Sequence, residues 1–150
     1  MTDADIRARI AEFPDAVVGA IDAAIVVTVP VAQWAVFARF AKDTLGCTYF
    51  SFLSAVDWKD DNLEVVAWID QPDSGTAVLM RTRLGVGVTT CPSLVPVYRG
   101  AEWMERECFD MFGIHFDGHP DLRRMLLPDD WVGHPLLKSY AVDTPYPPYR

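Results

Sequence analysis

The sequence predicts an α+β fold: a small mixed or antiparallel sheet with a three-strand meander, helices packed on it, and an extended irregular C-terminal segment. Three observations carry this. From Thr48 to Leu84, aromatic and β-branched runs follow one another with polar turns between them. The stretches 3–19, 30–46 and 101–112 instead place their apolar residues at helical spacing. Beyond Gly113 both periodicities fade, and six of the eleven prolines fall there. A division follows: residues 1–113 as an α+β core and 114–150 as an extended docking segment continuous with it.

Taken in order, Ile6, Ile10, Phe13 and Val17 predict an amphipathic helix over 3–19, broken or kinked at Pro14. Ala24–Val29 is a β-branched run and predicts a first strand. Pro30 suits a helix start, because it needs no N–H there. Trp34, Phe37, Phe40, Ala41 and Leu45 form an apolar stripe that Gly46 ends. Thr48–Val56, Leu63–Asp70 and Ala77–Leu84 predict the meander, with Leu63, Val65, Ala67 and Ile69 on one face. The turns are Asp57–Asn62 and Gln71–Gly75. Gly85-Val86-Gly87-Val88 lacks the third glycine and the helix start of a phosphate loop, and predicts a bend or bulge. Thr89–Gly100, with Pro92 and Pro96, predicts a connector with one helical turn. Ala101–Phe112 predicts a helix that starts acidic, which suits the positive end of its dipole, and stops at Gly113. On it Cys108, Phe109 and Phe112 face inward beside Glu105, and Arg106 and Asp110 form an i, i+4 pair. Leu122–Leu127 predicts one more short regular element, and 143–150 an extended polyproline-type arm.

Composition narrows the function classes. At 150 residues the chain is one domain able to bury a core. Its net charge of −8 is even, with 8 basic against 12 acidic residues in 1–101 and 5 against 9 in 102–150. Neither part attracts nucleic acid or anionic lipid. The N-terminus is acidic and lacks a signal-peptide start, and no apolar run approaches a membrane span, so a cytosolic chain is expected. It can still join a membrane complex through protein contacts. Cys47, Cys91 and Cys108 are scattered and expected to be reduced, and three thiols cannot hold a four-thiolate iron–sulfur cluster unaided.

The chemistry concentrates in Glu102–Tyr140, which holds His115, His119 and His134 and two Gly-His-Pro triplets. Glu105, Glu107 and Asp110 near His115 and His119 resemble acid–base machinery. On a helix, however, positions 105 and 107 lie about 200° apart. Arg106 between them favours a buried or interfacial salt-bridge network. His115, Asp117, His119 and Asp121 alternate as strand ligands do, but Gly118 and Pro120 interrupt them; a His in Gly-His-Pro more often fixes a turn. Cys108, on an apolar face, reads as inert core filling. Trp103 and Trp131 flank the charged stretch as interface anchors do.

Glu105-Arg106-Glu107, Asp110, Met111-Phe112, His119, Arg123 and Met125-Leu126 stand at the spacing of a known signature. The continuation runs through Pro128-Asp129-Asp130-Trp131 to Gly133-His134-Pro135-Leu136, and Pro92-Ser93-Leu94 precedes it. This pattern resembles the 30 kDa subunit family of respiratory complex I, the NADH:quinone oxidoreductase. Leu137 and Ser139 depart from it, replacing a basic and an acidic residue usual in the family. The resemblance implies a chain without flavin, cluster, metal or catalytic residues, those cofactors lying on partner subunits. It implies a scaffold that docks the 49 kDa-like, hydrogenase-like quinone-site subunit on the cytoplasmic face of the membrane. Glu105, Arg106, Glu107, Asp110, His119, Arg123, Arg124, Asp130, Trp131, His134, Lys138 and Tyr140 are the expected structural or interface residues. Arg106, Arg123 and Arg124 are expected to pair with carboxylates of the fold or the partner. Two alternatives stay open: the equivalent subunit of a membrane-bound hydrogenase or ferredoxin- or F420-linked oxidoreductase, and a free-standing hydrolase using Glu107, Asp110 and His119.

Overall fold

A computed structural model of the chain describes residues 1–60, 62–143 and 145. The first helix, α1 (Asp3–Ala11), opens with a capping box: Thr2 Oγ1 accepts from the Asp5 amide at 3.2 Å, and the Asp5 carboxylate accepts from the Thr2 amide at 2.9 Å. It stops well short of the predicted residue 19. The chain turns at Pro14 and Asp15, the latter at φ 60°, and Val17–Ile21 becomes a strand, β1. Pro14 removes the donor that would continue the helix, and the β-branched pair Val17-Val18 favours extension. Asp22, at φ 51°, sits in the tight turn that reverses the chain into β2 (Ala24–Thr28), antiparallel to β1.

Pro30 caps a short 3₁₀ turn (Val31–Gln33) that runs into α2 (Trp34–Asp43). The meander forms as predicted from β3 (Tyr49–Asp57), β4 (Asn62–Gln71) and β5 (Thr76–Val86), each antiparallel to the next. Gly85, at φ 95° next to the end of β5, begins a bend closed by the Val88 amide on the Gly85 carbonyl. β2 pairs in parallel with β5, so the five-stranded sheet is mixed and runs β1-β2-β5-β4-β3.

One row of the core is in register across four strands: Val27, Met80, Ala67 and Leu53. This face packs on Trp34, Phe37, Ala38 and Ala41 of α2 and on Ile6 and Ile10 of α1. Phe13 meets Phe37 edge to face at 5.1 Å.

The connector after β5 also differs from the prediction. Thr90–Pro92 is a strand, β6, paired in parallel with β7 (His115–Asp117). The expected helical turn follows it, closed by the Tyr98 amide on the Leu94 carbonyl at 2.7 Å. Between β6 and β7 lies α3 (Ala101–Phe112), which ends at Gly113 with φ 74°. The helix lies along β3, the outer strand of the sheet, and the Leu53 amide points at Met104 Sδ, 3.1 Å away. An edge that would otherwise present open backbone groups is thereby covered.

The buried face of α3 comprises Ala101, Glu105, Arg106, Cys108, Asp110 and Phe112. Phe109 is only half-buried, contrary to the periodicity, because the chain beyond Gly113 wraps the side of the helix that carries Arg106 and Asp110. Residues 122–127 form no regular element; their backbone bonds go to side chains of α3 instead.

Candidate functional site

Three ionisable side chains of α3 reach two other pieces of chain, one before the helix and one after it. Glu105, fully buried, accepts from Ser93 Oγ and from the Leu94 amide, both at 2.6 Å. This fastens the turn after β6 to the helix. Burial pushes the Glu105 carboxyl up to about 7, against the lowering effect of its two donors.

Arg106 points the other way. Its guanidinium donates to the carbonyls of Arg123 and Arg124, both at 3.3 Å, and lies 5.8 Å from the Trp103 ring centre. Asp110, also fully buried, gathers the most partners. Its Oδ2 accepts from three successive amides, Met125, Leu126 and Leu127, at 3.1, 2.8 and 3.0 Å. Its Oδ1 accepts from Arg124 Nη1 at 2.6 Å. Consecutive amides converging on one oxygen form an anion-binding nest, here filled by the protein's own carboxylate. Burial alone would raise this carboxyl; the amide of Leu127, the Arg124 guanidinium and the amides of Leu126 and Met125 outweigh it and hold it below the usual carboxylate value.

Arg124 extends the clamp. Its Nη2 donates to the carbonyls of Trp131 and Gly133, both at 3.0 Å. His134 Nδ1 bonds the Asp110 carbonyl at 2.9 Å, and the Leu136 amide donates to the Met111 carbonyl at 3.0 Å. The His134 ring lies so close to Gly113 that a Cβ there would meet its Cδ2 at 2.7 Å. Gly113 thus serves two ends, the left-handed helix stop and the seat of His134. Gly133 in turn seats Tyr140, whose Cε2 lies 2.9 Å from where a Cβ would stand.

The predicted residues separate accordingly. Glu105, Arg106, Asp110, Arg124 and His134 belong to one clamp, and the carbonyl of Trp131 joins it. The i, i+4 pair of Arg106 with Asp110 is not made: Asp110 meets Arg124 and three amides, a set that one guanidinium on the same helix could not replace. Nor does Arg106 pair with a carboxylate among the described residues; it holds backbone carbonyls. Arg123 pairs at the surface with Asp121 at 2.9 Å, which lowers the Asp121 carboxyl and raises the guanidinium. Glu107 and Asp130 are exposed and make no ion pair among the described residues. Lys138 is anchored by its amide, which donates to Asp57 Oδ2 at 2.7 Å. The predicted arm falls mostly on residues 144 and 146–150, outside those described.

His119 is committed to the backbone on both sides. Its Nδ1 accepts from the Asp121 amide at 3.0 Å, so the proton lies on Nε2, which donates to the Glu102 carbonyl at 2.8 Å. His115 is exposed, 3.5 Å from Asp117, and the alternating His and Asp do not converge. Among the described residues no group of three or more such side chains is placed to hold a metal ion.

Two partners of the clamp were not identifiable as such from the sequence. Ser93 lies 12 residues from Glu105, and its only signal was the family-like Pro92-Ser93-Leu94. Asp57 ties Lys138 across 81 residues, and nothing local marks it. A groove of roughly 610 Å³ opens beside this tie, lined by Leu63, Phe112, Leu137 and Lys138 among others.

Fold and clamp define a mixed-sheet α+β protein whose last helix holds a long irregular segment through buried charge. The chain belongs to the family of the respiratory-chain NADH dehydrogenase 30 kDa subunit, whose pattern matches residues 27–146. It is 41% identical over 123 residues to a subunit of the NADH-quinone oxidoreductase of Chlorobium phaeobacteroides, a match covering 76% of this chain and 71% of that one. The trypsin-resistant fragment of Nqo5 shares the fold with a TM-score of 0.66 at 20% identity, over 79% of this chain and 95% of the fragment. One polypeptide of the archaeal membrane-bound sulfane sulfur reductase gives 0.71 at 24% identity, over 85% and 77%.

Proposed function

We infer that the chain is a non-redox structural subunit in the peripheral arm of the proton-translocating NADH:quinone oxidoreductase. In this reading its C-terminal third docks the 49 kDa-like, hydrogenase-like quinone-site subunit on the cytoplasmic side of the membrane. Flavin and iron–sulfur clusters lie on neighbouring subunits, and electrons pass from NADH to quinone without entering this chain.

The observation that carries the reading is how the family signature is used. Glu105, Arg106 and Asp110 of the signature are turned inward: Glu105 holds the turn at Ser93 and Leu94, and Arg106 and Asp110, with Arg124 and His134, hold segment 123–136 in place instead of facing a substrate. The thiols support it too. Cys47, Cys91 and Cys108 are buried, and burial raises all three thiols, which suits inert packing rather than nucleophilic chemistry. Among the described residues no helix is long and apolar enough to cross a membrane, which suits attachment through the complex. A free-standing hydrolase is disfavoured by His119, both of whose ring nitrogens are engaged by the backbone.

The test is recovery of the complex from membranes of the native host through a tag on this chain, with identification of the co-purified subunits. The quinone-site subunit and the flavin-bearing NADH-oxidising subunits are expected together. Deleting 141–150 is expected to lower recovery of the quinone-site subunit while the lone chain keeps its circular dichroism and melting profile. Undiminished recovery overturns the docking role, and hydrogenase subunits in place of the NADH-oxidising ones move the chain to the related machine.

A further inference from the structure

The clamp leaves a surface whose chemistry is specific enough to name what covers it; the inference rests on the docking role above. Three large apolar side chains stand out from the clamped segment: Leu126 at 56% exposure, Val132 at 86% and Leu136 at 52%. Each is held by its backbone at or near the last turn of α3. The Leu126 amide is bound by Asp110 Oδ2, and the Leu136 amide by the Met111 carbonyl. Val132 lies between Trp131 and Gly133, whose carbonyls are both bound by Arg124. Exposed apolar side chains on a pinned backbone lose little further chain entropy when a partner covers them, which favours them as binding anchors.

The exposed charges of this segment are predominantly acidic. The arginines of this region are already engaged: Arg106 by the carbonyls of residues 123 and 124, Arg124 by Asp110, Arg123 by Asp121. Asp129 and Asp130 are exposed and make no ion pair among the described residues; Arg123, which pairs with Asp121 and also feels Asp129, and Lys138 are the exposed cations of this segment. Apolar side chains with acids beside them complement an apolar patch ringed by Lys and Arg, and repel an anionic lipid surface.

We propose that Leu126, Val132 and Leu136, with Asp129 and Asp130 beside them in the same pinned segment, form a docking face for a basic-rimmed apolar patch on the quinone-site subunit. The apolar side chains supply the anchoring contact, and the acids steer and register it.

The experiment uses the full tagged chain, expressed in the native host in place of the wild type, with co-purified subunits identified and quantified. The variants are Asp129→Lys with Asp130→Lys, Val132→Ser with Leu136→Ser, and Asp43→Lys on the exposed end of α2 as a charge control. Circular dichroism and melting of each lone chain check folding. The acid reversal is expected to cut recovery of the quinone-site subunit about tenfold at low salt, and the apolar pair at least as much at every salt concentration. The wild-type complex is expected to weaken as salt rises, and Asp43→Lys to match it. Undiminished recovery of that subunit by both double variants overturns the proposed face while leaving the docking role intact. Loss of a different, identified subunit from the variants keeps the face and overturns the partner. Binding of the wild-type chain to vesicles containing phosphatidylserine, abolished by Val132→Ser with Leu136→Ser, overturns the proposal in favour of a lipid surface.

Discussion

Ile25 to Met80 in the sheet and Met125 to Gly133 beyond α3 are both ordered, but by different means. The first is ordered by area: Ile25, Val27, Ala67, Ile69, Val78 and Met80 are all buried, and their strands bond one another along their length. The second has no repeating backbone pattern. Met125, Leu126 and Leu127 give their amides to one carboxylate, and Trp131 and Gly133 give their carbonyls to one guanidinium. Many weak contacts hold the sheet, so a single change is shared among neighbours. A few charged, desolvated groups hold the segment, so one change removes several bonds at once. The arrangement keeps the outer side of the segment available while its backbone stays fixed.

The largest effect is expected in the sheet region. Phe37→Ala removes a fully buried ring in contact with Phe13 and Phe40, and should cost about 3–5 kcal/mol in denaturant unfolding. Hydrogen exchange should speed up throughout the protein, because the core is shared. Asp110→Ala comes next. It leaves Arg124 without its carboxylate and three amides without an acceptor, at a cost of about 3 kcal/mol. Here exchange and proteolysis should accelerate over 120–136 before β4 and β5 respond. If both regions loosen together, the segment and the sheet are one cooperative unit and the contrast fails.

The two buried acids of α3 sharpen the comparison through pH. The Glu105 carboxyl is raised, so its stabilising contribution is full below the unfolded value near 4.5 and is lost as pH rises through about 7. The Asp110 carboxyl is lowered, so its contribution is present above the unfolded value near 3.8 and is lost as pH falls through the folded value. Glu105→Gln keeps an acceptor for the Leu94 amide and removes the titration. Its unfolding free energy should vary less between pH 5 and 8 than that of the wild type, by an amount on the order of 3 kcal/mol. Equal pH dependence in the two proteins would falsify the assignment. The smallest effect belongs to Arg123→Ala. Its pair with Asp121 lies on the surface, so melting should stay within error of the wild type.

The elements were legible in proportion to their periodicity. The meander and α3 could be read directly, because alternation in Leu63–Ile69 and the helical spacing from Ala101 to Phe112 report burial on one face. The end of α1 was misplaced because Val17 fits the helical interval while Pro14 and the Val17-Val18 pair act against the helix. β6 and β7 were not legible, being three residues each and paired across an intervening helix. At the candidate site the residue types were readable and their partners were not. Arg106 and Asp110 stand at pairing distance along the helix, yet each goes to the chain beyond Gly113.

The sequence by itself determined the α+β class, the meander, the helix that carries the signature and the family, because local spacing and a long motif are properties of contiguous residues. The tertiary structure alone decided that β2 lies beside β5, that Glu105 holds Ser93, that Asp57 holds Lys138, and that Asp110 collects Arg124 with three amides. These contacts join residues 12 to 81 positions apart. Nothing in the spacing of either partner encodes the other; each pairing follows from where the folded sheet places α3 and which buried polar groups then lack water.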